Sequence, residues 1–251
     1  FWLKPAVCHP ASAAPRSRMA DPAKGPAVPS LVLYHYPLTR SVRVLWLLHE
    51  LGPERVTFTL KRLELLKGEG RSQEFLAKNP NHAVPYVELE TPVGERICMF
   101  ESCAIVQFLA DACAPGGLAP AAGLSPARAE YERWMWFAGS WMDQLLWQLR
   151  QHAPGGILAE GDRDERIVVR TREKWTQEIE PQVAAQLSLH GGTFILGPEF
   201  SAADCVVGHT LRWATAYGLC EPPELQAYLA RCAERPAFQS AYADADSFGK
   251  L

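Results

Sequence analysis

At 251 residues, 48% apolar and 21% charged, the chain has material for one large domain or two modest ones with a real core. A formal net charge of −3 gives no broad basic surface for nucleic acid or an anionic membrane. No apolar run approaches the roughly 18 residues of a membrane-spanning helix. The seven cysteines contain no Cys-x-x-Cys and no Cys/His spacing suited to zinc, so they read as reduced core thiols with no metal site.

Residues 1–30 differ from the rest, being rich in Ala, Pro and Ser, with basic residues before Met19 and a first acid only at Asp21. This leader is expected to be disordered, as the tail of an organelle transit peptide or as an untranslated stretch upstream of a start at Met19. Leu31-Val32-Leu33-Tyr34-His35-Tyr36, closed by Pro37, predicts a buried first strand. Thr39 and Ser41 are candidate N-caps for a helix whose Val44, Leu47, Leu48 and Leu51 share one face, and Gly52-Pro53 ends it. Val56 to Leu60 predicts a second strand. Lys67 to Ser72 reads as a charged loop and Gln73 to Lys78 as a short helix at best. Pro85 to Leu89 and Arg96 to Phe100 predict a hairpin, and Ser102 to Asp111 a helix.

Ala114 to Pro126 is rich in Ala, Pro and Gly and reads as a linker. Beyond it the pattern is helical apart from the brief Phe194-Ile195-Leu196. Ala127 to His152 predicts a long helix carrying Trp134, Trp136, Trp141 and Trp147, which read mainly as core and interface aromatics, with Trp134 a candidate pocket residue. Asp164 to Leu189 predicts another helix, bent or broken near Pro181. Ser201-Ala202-Ala203-Asp204 reads as a capping box, with Phe200 and Cys205 placed for a hydrophobic staple. Pro223 to Ala233 and Pro236 to Ala243 complete the helices. The expected fold is α/β followed by all-α, with domains at 31–113 and 127–251 joined by 114–126.

Two residue pairs point to function. Val84-Pro85 precedes the third strand, and a proline there has no N–H to give the ladder and suits a tight, often cis, turn. Glu101-Ser102 puts an acid and a hydroxyl at a helix start, where free N–H groups favour an anion. Together they suit a small peptide with a carboxylate and an amine at one end.

The βαβ-ββα order, Asn79-Pro80 leading to Val84-Pro85, Glu101-Ser102-x-Ala104-Ile105 and the Ser201-x-x-Asp204 box resemble the soluble glutathione transferases. Thr39-Arg40-Ser41-Val42-Arg43-Val44-Leu45-Trp46 is similar to the Ser-Arg-Ser opening of bacterial and fungal members. The resemblance covers about Leu31 to Asp244. It implies a thioredoxin-like domain followed by a helical bundle, glutathione as co-substrate, a small apolar electrophile or a hydroperoxide as its target, a homodimer and a cytoplasmic setting.

Residue by residue, the resemblance gives Glu101 and Ser102 the γ-glutamyl ammonium and carboxylate. Val84 takes the cysteinyl backbone, with Pro85 in cis, and Arg71 takes the glycine carboxylate. The thiol activator is Thr39, which stands in the first serine's place, or Ser41, or Tyr36 if the chain follows the tyrosine-type branch. His82 and Ala83 stand where relatives often have Gly then Lys or Gln, which weakens the grip on the glycine end. No cysteine lies between Pro37 and Arg43, against the thiol-dependent reductases of the family. A non-catalytic binding module and a glutathione-dependent isomerase or dehalogenase are the alternatives.

Overall fold

The computed structural model describes residues 28–189 and 191–245. The predicted leader, apart from 28–30, lies outside the described residues, as does Cys8. The other six cysteines are free thiols, four of them buried.

The first half holds β1 (Ser30–His35), α1 (Ser41–Leu51), β2 (Thr57–Arg62), α2 (Gln73–Leu76), β3 (Tyr86–Glu90), β4 (Arg96–Phe100) and α3 (Ser102–Cys113). Four strands form one sheet in the order β2-β1-β3-β4, with β1 and β2 parallel and the other neighbours antiparallel. The loop predicted over 67–72 contains one short 3-10 turn, Glu69–Arg71, and follows another, Leu65–Lys67. The second half holds α4 (Pro126–Trp136), α5 (Asp143–His152), α6 (Glu165–Lys174), α7 (Glu180–Leu189), α8 (Ala202–Thr215), α9 (Pro223–Glu234) and α10 (Pro236–Ala241). Phe194 forms only an isolated bridge with Gly197.

Helix α1 is the spine between the halves. Every residue from Ser41 to Leu48 is buried, which no amphipathic surface helix shows, because α1 packs on the sheet and α3 and also on α8 and α10. Trp46 is fully buried, with its ring 5.5 Å from Phe200 and 4.9 Å from Phe238. A Cβ on Gly208 would lie 3.2 Å from that indole, so the small residue lets α8 approach. Arg235 adds a bidentate pair to Glu50 at 2.6 Å on both arms.

Two expectations need correction. Neither Thr39 nor Ser41 is the N-cap of α1; that position is Arg40, without a side-chain cap, because both hydroxyls bond back to the end of β1. The predicted linker gives up its last residue, since Pro126 opens α4 at N1, where its missing N–H costs nothing. The helix over Asp164 to Leu189 is interrupted near Pro181, as expected. A π turn at Trp175–Ile179 widens the backbone around Gln177, whose carbonyl the proline ring would otherwise strike. A second π turn, Phe137–Met142, joins α4 to α5.

The capping box forms as expected and does more than cap. Asp204 is buried and accepts four hydrogen bonds, all at 2.9 Å. Oδ1 takes the Ile195 N–H and the Tyr228 hydroxyl, and Oδ2 takes the Ser201 N–H and hydroxyl. Burial pushes this carboxyl up against the pull of those donors. Asp204→Ala leaves all four donors without their acceptor and is expected to cost about 3 kcal/mol or more. Asp204→Asn should recover little, because its amide nitrogen must face two of the donors. Urea unfolding midpoints of the two variants check this, and a loss below about 1 kcal/mol for Asp204→Ala would contradict it.

Candidate active site

Two non-glycine residues with left-handed backbones flank the region where β1, β3 and the starts of α1 and α3 meet. Leu38 has φ 57° and turns the chain from β1 into α1, and Glu101 has φ 74° as the N-cap of α3. Such conformations are uncommon for side chains of this size and concentrate where a site needs a residue in one particular place. At Glu101 the result is an exposed carboxylate with no hydrogen bond or ion pair to any described residue. Ser102, the first residue of α3, is buried, and its hydroxyl oxygen accepts from Arg43 Nη1 at 3.2 Å. It sits beside the free N–H groups of the helix start.

The Val84-Pro85 bond is cis, as expected. Val84 is buried and lies outside the β3 ladder. Neither its N–H nor its C=O has a hydrogen-bond partner among the described residues. Asn79 steadies the approach, its amide donating to the Ala83 carbonyl at 2.7 Å. The turn carrying Arg71 sits against this stretch, since a Cβ on Gly70 would lie 2.7 Å from the His82 carbonyl. Arg71 itself is exposed and makes no ion pair with described residues; His82 and Ala83 are exposed too.

The hydroxyls at the start of α1 form a chain of bonds. Thr39 Oγ1 donates to the Tyr36 carbonyl at 2.7 Å and lies 2.8 Å from Ser41 Oγ. Ser41 Oγ lies 2.8 Å from His35 Nδ1, accepts the Tyr36 N–H at 3.2 Å, and lies 3.2 Å from the Tyr36 carbonyl. His35 Nε2 faces Asp244 Oδ2 at 3.2 Å. Burial, together with the Arg62 charge, lowers the His35 pKa by more than Asp244 raises it, so the ring is neutral at neutral pH. With Nε2 facing a carboxylate, the one ring proton sits on Nε2 and Nδ1 accepts. The single Ser41 proton is then committed to His35. Ser41 is fully buried, whereas Thr39 is partly exposed. Thr39 is therefore the hydroxyl able to turn its proton outward.

Tyr36 gives its carbonyl to this chain, and its ring joins Tyr34, Phe75, Val84 and Tyr86 in a small cluster under the Arg62 guanidinium. Cys103 follows Ser102, but burial pushes its thiol up, so it does not supply a thiolate. Behind the hydroxyls, buried Arg43 donates to Asp143 at 2.5 and 3.0 Å and to Thr210 at 2.7 Å. Arg40 Nε reaches the same Asp143 at 2.7 Å. Burial pushes the Asp143 carboxyl up, but the two guanidiniums outweigh it and hold it below the usual carboxylate range.

A cavity of about 400 Å³ opens beside Arg40, lined also by Gly139, Ser140, Asp143, Gln144 and Trp147. Trp134 is not among its walls; it is buried in the core at 1% exposure. Trp136 at the end of α4, Trp141 within the π turn and Trp147 on α5 are exposed. Two residues here escaped the sequence reading. Nothing marked His35 as the partner of Ser41, or Asp143 as the partner of Arg43.

The family model of the glutathione S-transferase N-terminal domain matches residues 29–111, and that of the C-terminal domain matches residues 170–231, together more than half of the chain. The chain belongs to the soluble glutathione transferase family. Among solved glutathione transferases it is similar to the bacterial enzyme BphK in a ternary complex. That match has 27% identity and a TM-score of 0.69 over 86% of this chain and 99% of the other. A glutathione S-transferase from Xylella fastidiosa matches at 25% identity and a TM-score of 0.68, over 86% and 98% of the chains. A family member from Pseudomonas fluorescens, solved with two glutathione molecules bound, matches at 23% and 0.68, over 88% and 95%. A comparison with curated proteins found no match. No described helix is long and apolar enough to cross a membrane, and no cluster of His, Cys, Asp and Glu among the described residues suits a metal ion.

Proposed function

We propose that this transferase binds glutathione along the β3–α3 edge and activates its thiol with the Thr39 hydroxyl. Glu101 takes the γ-glutamyl ammonium. The Ser102 hydroxyl and the α3 N-terminus take the neighbouring carboxylate. The unpaired backbone of Val84, before cis Pro85, bonds to the cysteinyl unit in the manner of an added strand. Arg71, free of ion pairs among the described residues, takes the glycine carboxylate. A thiol of ordinary pKa, about 8.5, is mostly protonated at neutral pH. A sulfur anion is a far better acceptor than the Tyr36 carbonyl, so it draws the Thr39 proton outward and is held as thiolate beside the positive end of α1. It then attacks a small electrophile seated in the cavity beside Arg40, with proximity supplying much of the rate.

The observation that carries this reading is the commitment of Ser41 to His35, which singles out Thr39 among the hydroxyls. We further propose a cytoplasmic homodimer, which sedimentation velocity tests for assembly. The decisive pair of measurements is glutathione binding by calorimetry and conjugation of 1-chloro-2,4-dinitrobenzene. Both are expected in the wild type, with glutathione affinity at least 10-fold weaker in Glu101→Gln. Binding without turnover on this or any other electrophile would favour the non-catalytic module. Turnover that regenerates glutathione would favour the isomerase or dehalogenase. Unchanged affinity in Glu101→Gln would contradict the assignment of the γ-glutamyl end.

A further inference from the structure

We infer that the electrophile site selects planar aromatic substrates bearing an acidic group, a carboxylate or sulfonate, and that Arg40 is the selecting residue; this rests on the transferase reading above. Arg40 follows Thr39 directly in the chain and lies on the wall of the cavity. Its guanidinium carbon lies 5.6 Å from the centroid of the Trp147 ring and 5.4 Å from that of Trp213, so the head is held by two indoles. Only Nε is claimed, by Asp143; Nη1 and Nη2 have no partner among the described residues. A side chain 37% exposed, clamped in place with its fork open, is prearranged for a bidentate acid.

The charge balance agrees. Asp143 is the sole acid on the cavity wall and is almost wholly buried, with both oxygens claimed by Arg43. Two guanidiniums against one carboxylate leave a net positive charge. The exposed indole of Trp147 offers a flat face for a ring, and Gly139 and Ser140 on the π turn keep the opposite wall small. A Cβ on Gly139 would lie 2.3 Å from Cys103 Sγ, so glycine is what lets this wall close against α3.

With an aryl chloride the thiolate sulfur bonds to the ring carbon that carries chlorine. Negative charge moves into the ring and its nitro groups, then the C–Cl bond breaks and chloride leaves with the bonding pair. The thiol proton has already gone to solvent. An acid on the far side of the ring, gripped by Arg40, would hold that carbon toward Thr39.

The test compares 4-chloro-3,5-dinitrobenzoate with neutral 1-chloro-2,4-dinitrobenzene, each rate divided by its uncatalysed reaction with glutathione. The normalised kcat/KM ratio, acid over neutral, is expected to exceed 10 in the wild type. In Arg40→Met it should fall at least 10-fold, mainly through KM for the acid, while Arg40→Lys keeps part of it. Calorimetric affinity for unreactive 2,4-dinitrobenzoate should weaken in parallel. Arg43 keeps its own bonds to Asp143, so both variants should retain the wild-type far-ultraviolet circular dichroism. An unchanged ratio and unchanged benzoate affinity in Arg40→Met would overturn this inference alone. Conjugation of neither chloride by the wild type would overturn the transferase reading together with it.

Discussion

Thr39→Ala should lower kcat/KM for conjugation by about 10²-fold or more, the usual cost of removing one donor aimed at developing or localised charge. Thr39→Ser should retain most of the activity, since it keeps the proton donor and loses only a methyl. The comparison with Ser41→Ala discriminates between the two hydroxyls. Ser41 is buried, accepts the Tyr36 N–H, donates to His35 and lies 2.8 Å from the Thr39 oxygen. Its loss should therefore appear first as stability, about 1–3 kcal/mol for the groups left without partners, with a smaller activity loss through a less well held Thr39. His35→Gln should resemble Ser41→Ala for the same reason. Steady-state kinetics beside urea unfolding separates the two patterns. If Ser41→Ala abolishes turnover while Thr39→Ala does not, the proton commitment argued from His35 is wrong.

Arg43→Met should be the most destabilising change near the site, by about 3–5 kcal/mol, because removing one partner of a buried ion pair strands the other. Asp143 would keep Arg40, bonded through a single nitrogen, and a long 3.5 Å bond from the Thr210 hydroxyl. Ser102 and Thr210 would each lose a donor. Since these residues lie on α3 and α8, the variant should loosen the α3 start and the helical half together. Replacing both members, Arg43→Met with Asp143→Leu, should recover part of the loss, because neither charge is then left buried alone. The pH dependence has a definite sign. A carboxyl held below its usual range adds stability above the unfolded value, about 3.9, and loses it as pH falls through the native value. The wild type should therefore shed this contribution below about pH 4, and Arg43→Met should have much less to lose there. Urea midpoints across that range check it.

Much of the fold was legible because its signals are local. Gly52 ends α1 with φ 77° and an N–H bonded to the Leu48 carbonyl, and Ser201-x-x-Asp204 starts α8. Strands β3 and β4 pair across the predicted turn. The positions of Val84-Pro85 and Glu101-Ser102 were equally local, one a cis turn and the other a helix start. What escaped was set by partners distant in sequence. Thr39 and Ser41 look like caps until His35, bonded in turn to Asp244, draws Ser41 back toward the strand. Arg40 and Arg43 stand three apart on one turn of α1, yet no spacing rule reaches Asp143 on α5. The π turns left no trace in the apolar pattern beyond the run of tryptophans. Three of those rings are exposed, Trp136 before the Phe137–Met142 turn, Trp141 within it and Trp147 beyond it.

Titration of bound glutathione by its thiolate ultraviolet absorbance tests the central claim most directly. In the wild type the midpoint should lie at least about one pH unit below that of a free thiol, near 8.5. In Thr39→Ala, with glutathione still bound, it should return toward the free value. A wild-type midpoint equal to that of free glutathione would contradict the account, and so would a lowered one that Thr39→Ala leaves in place.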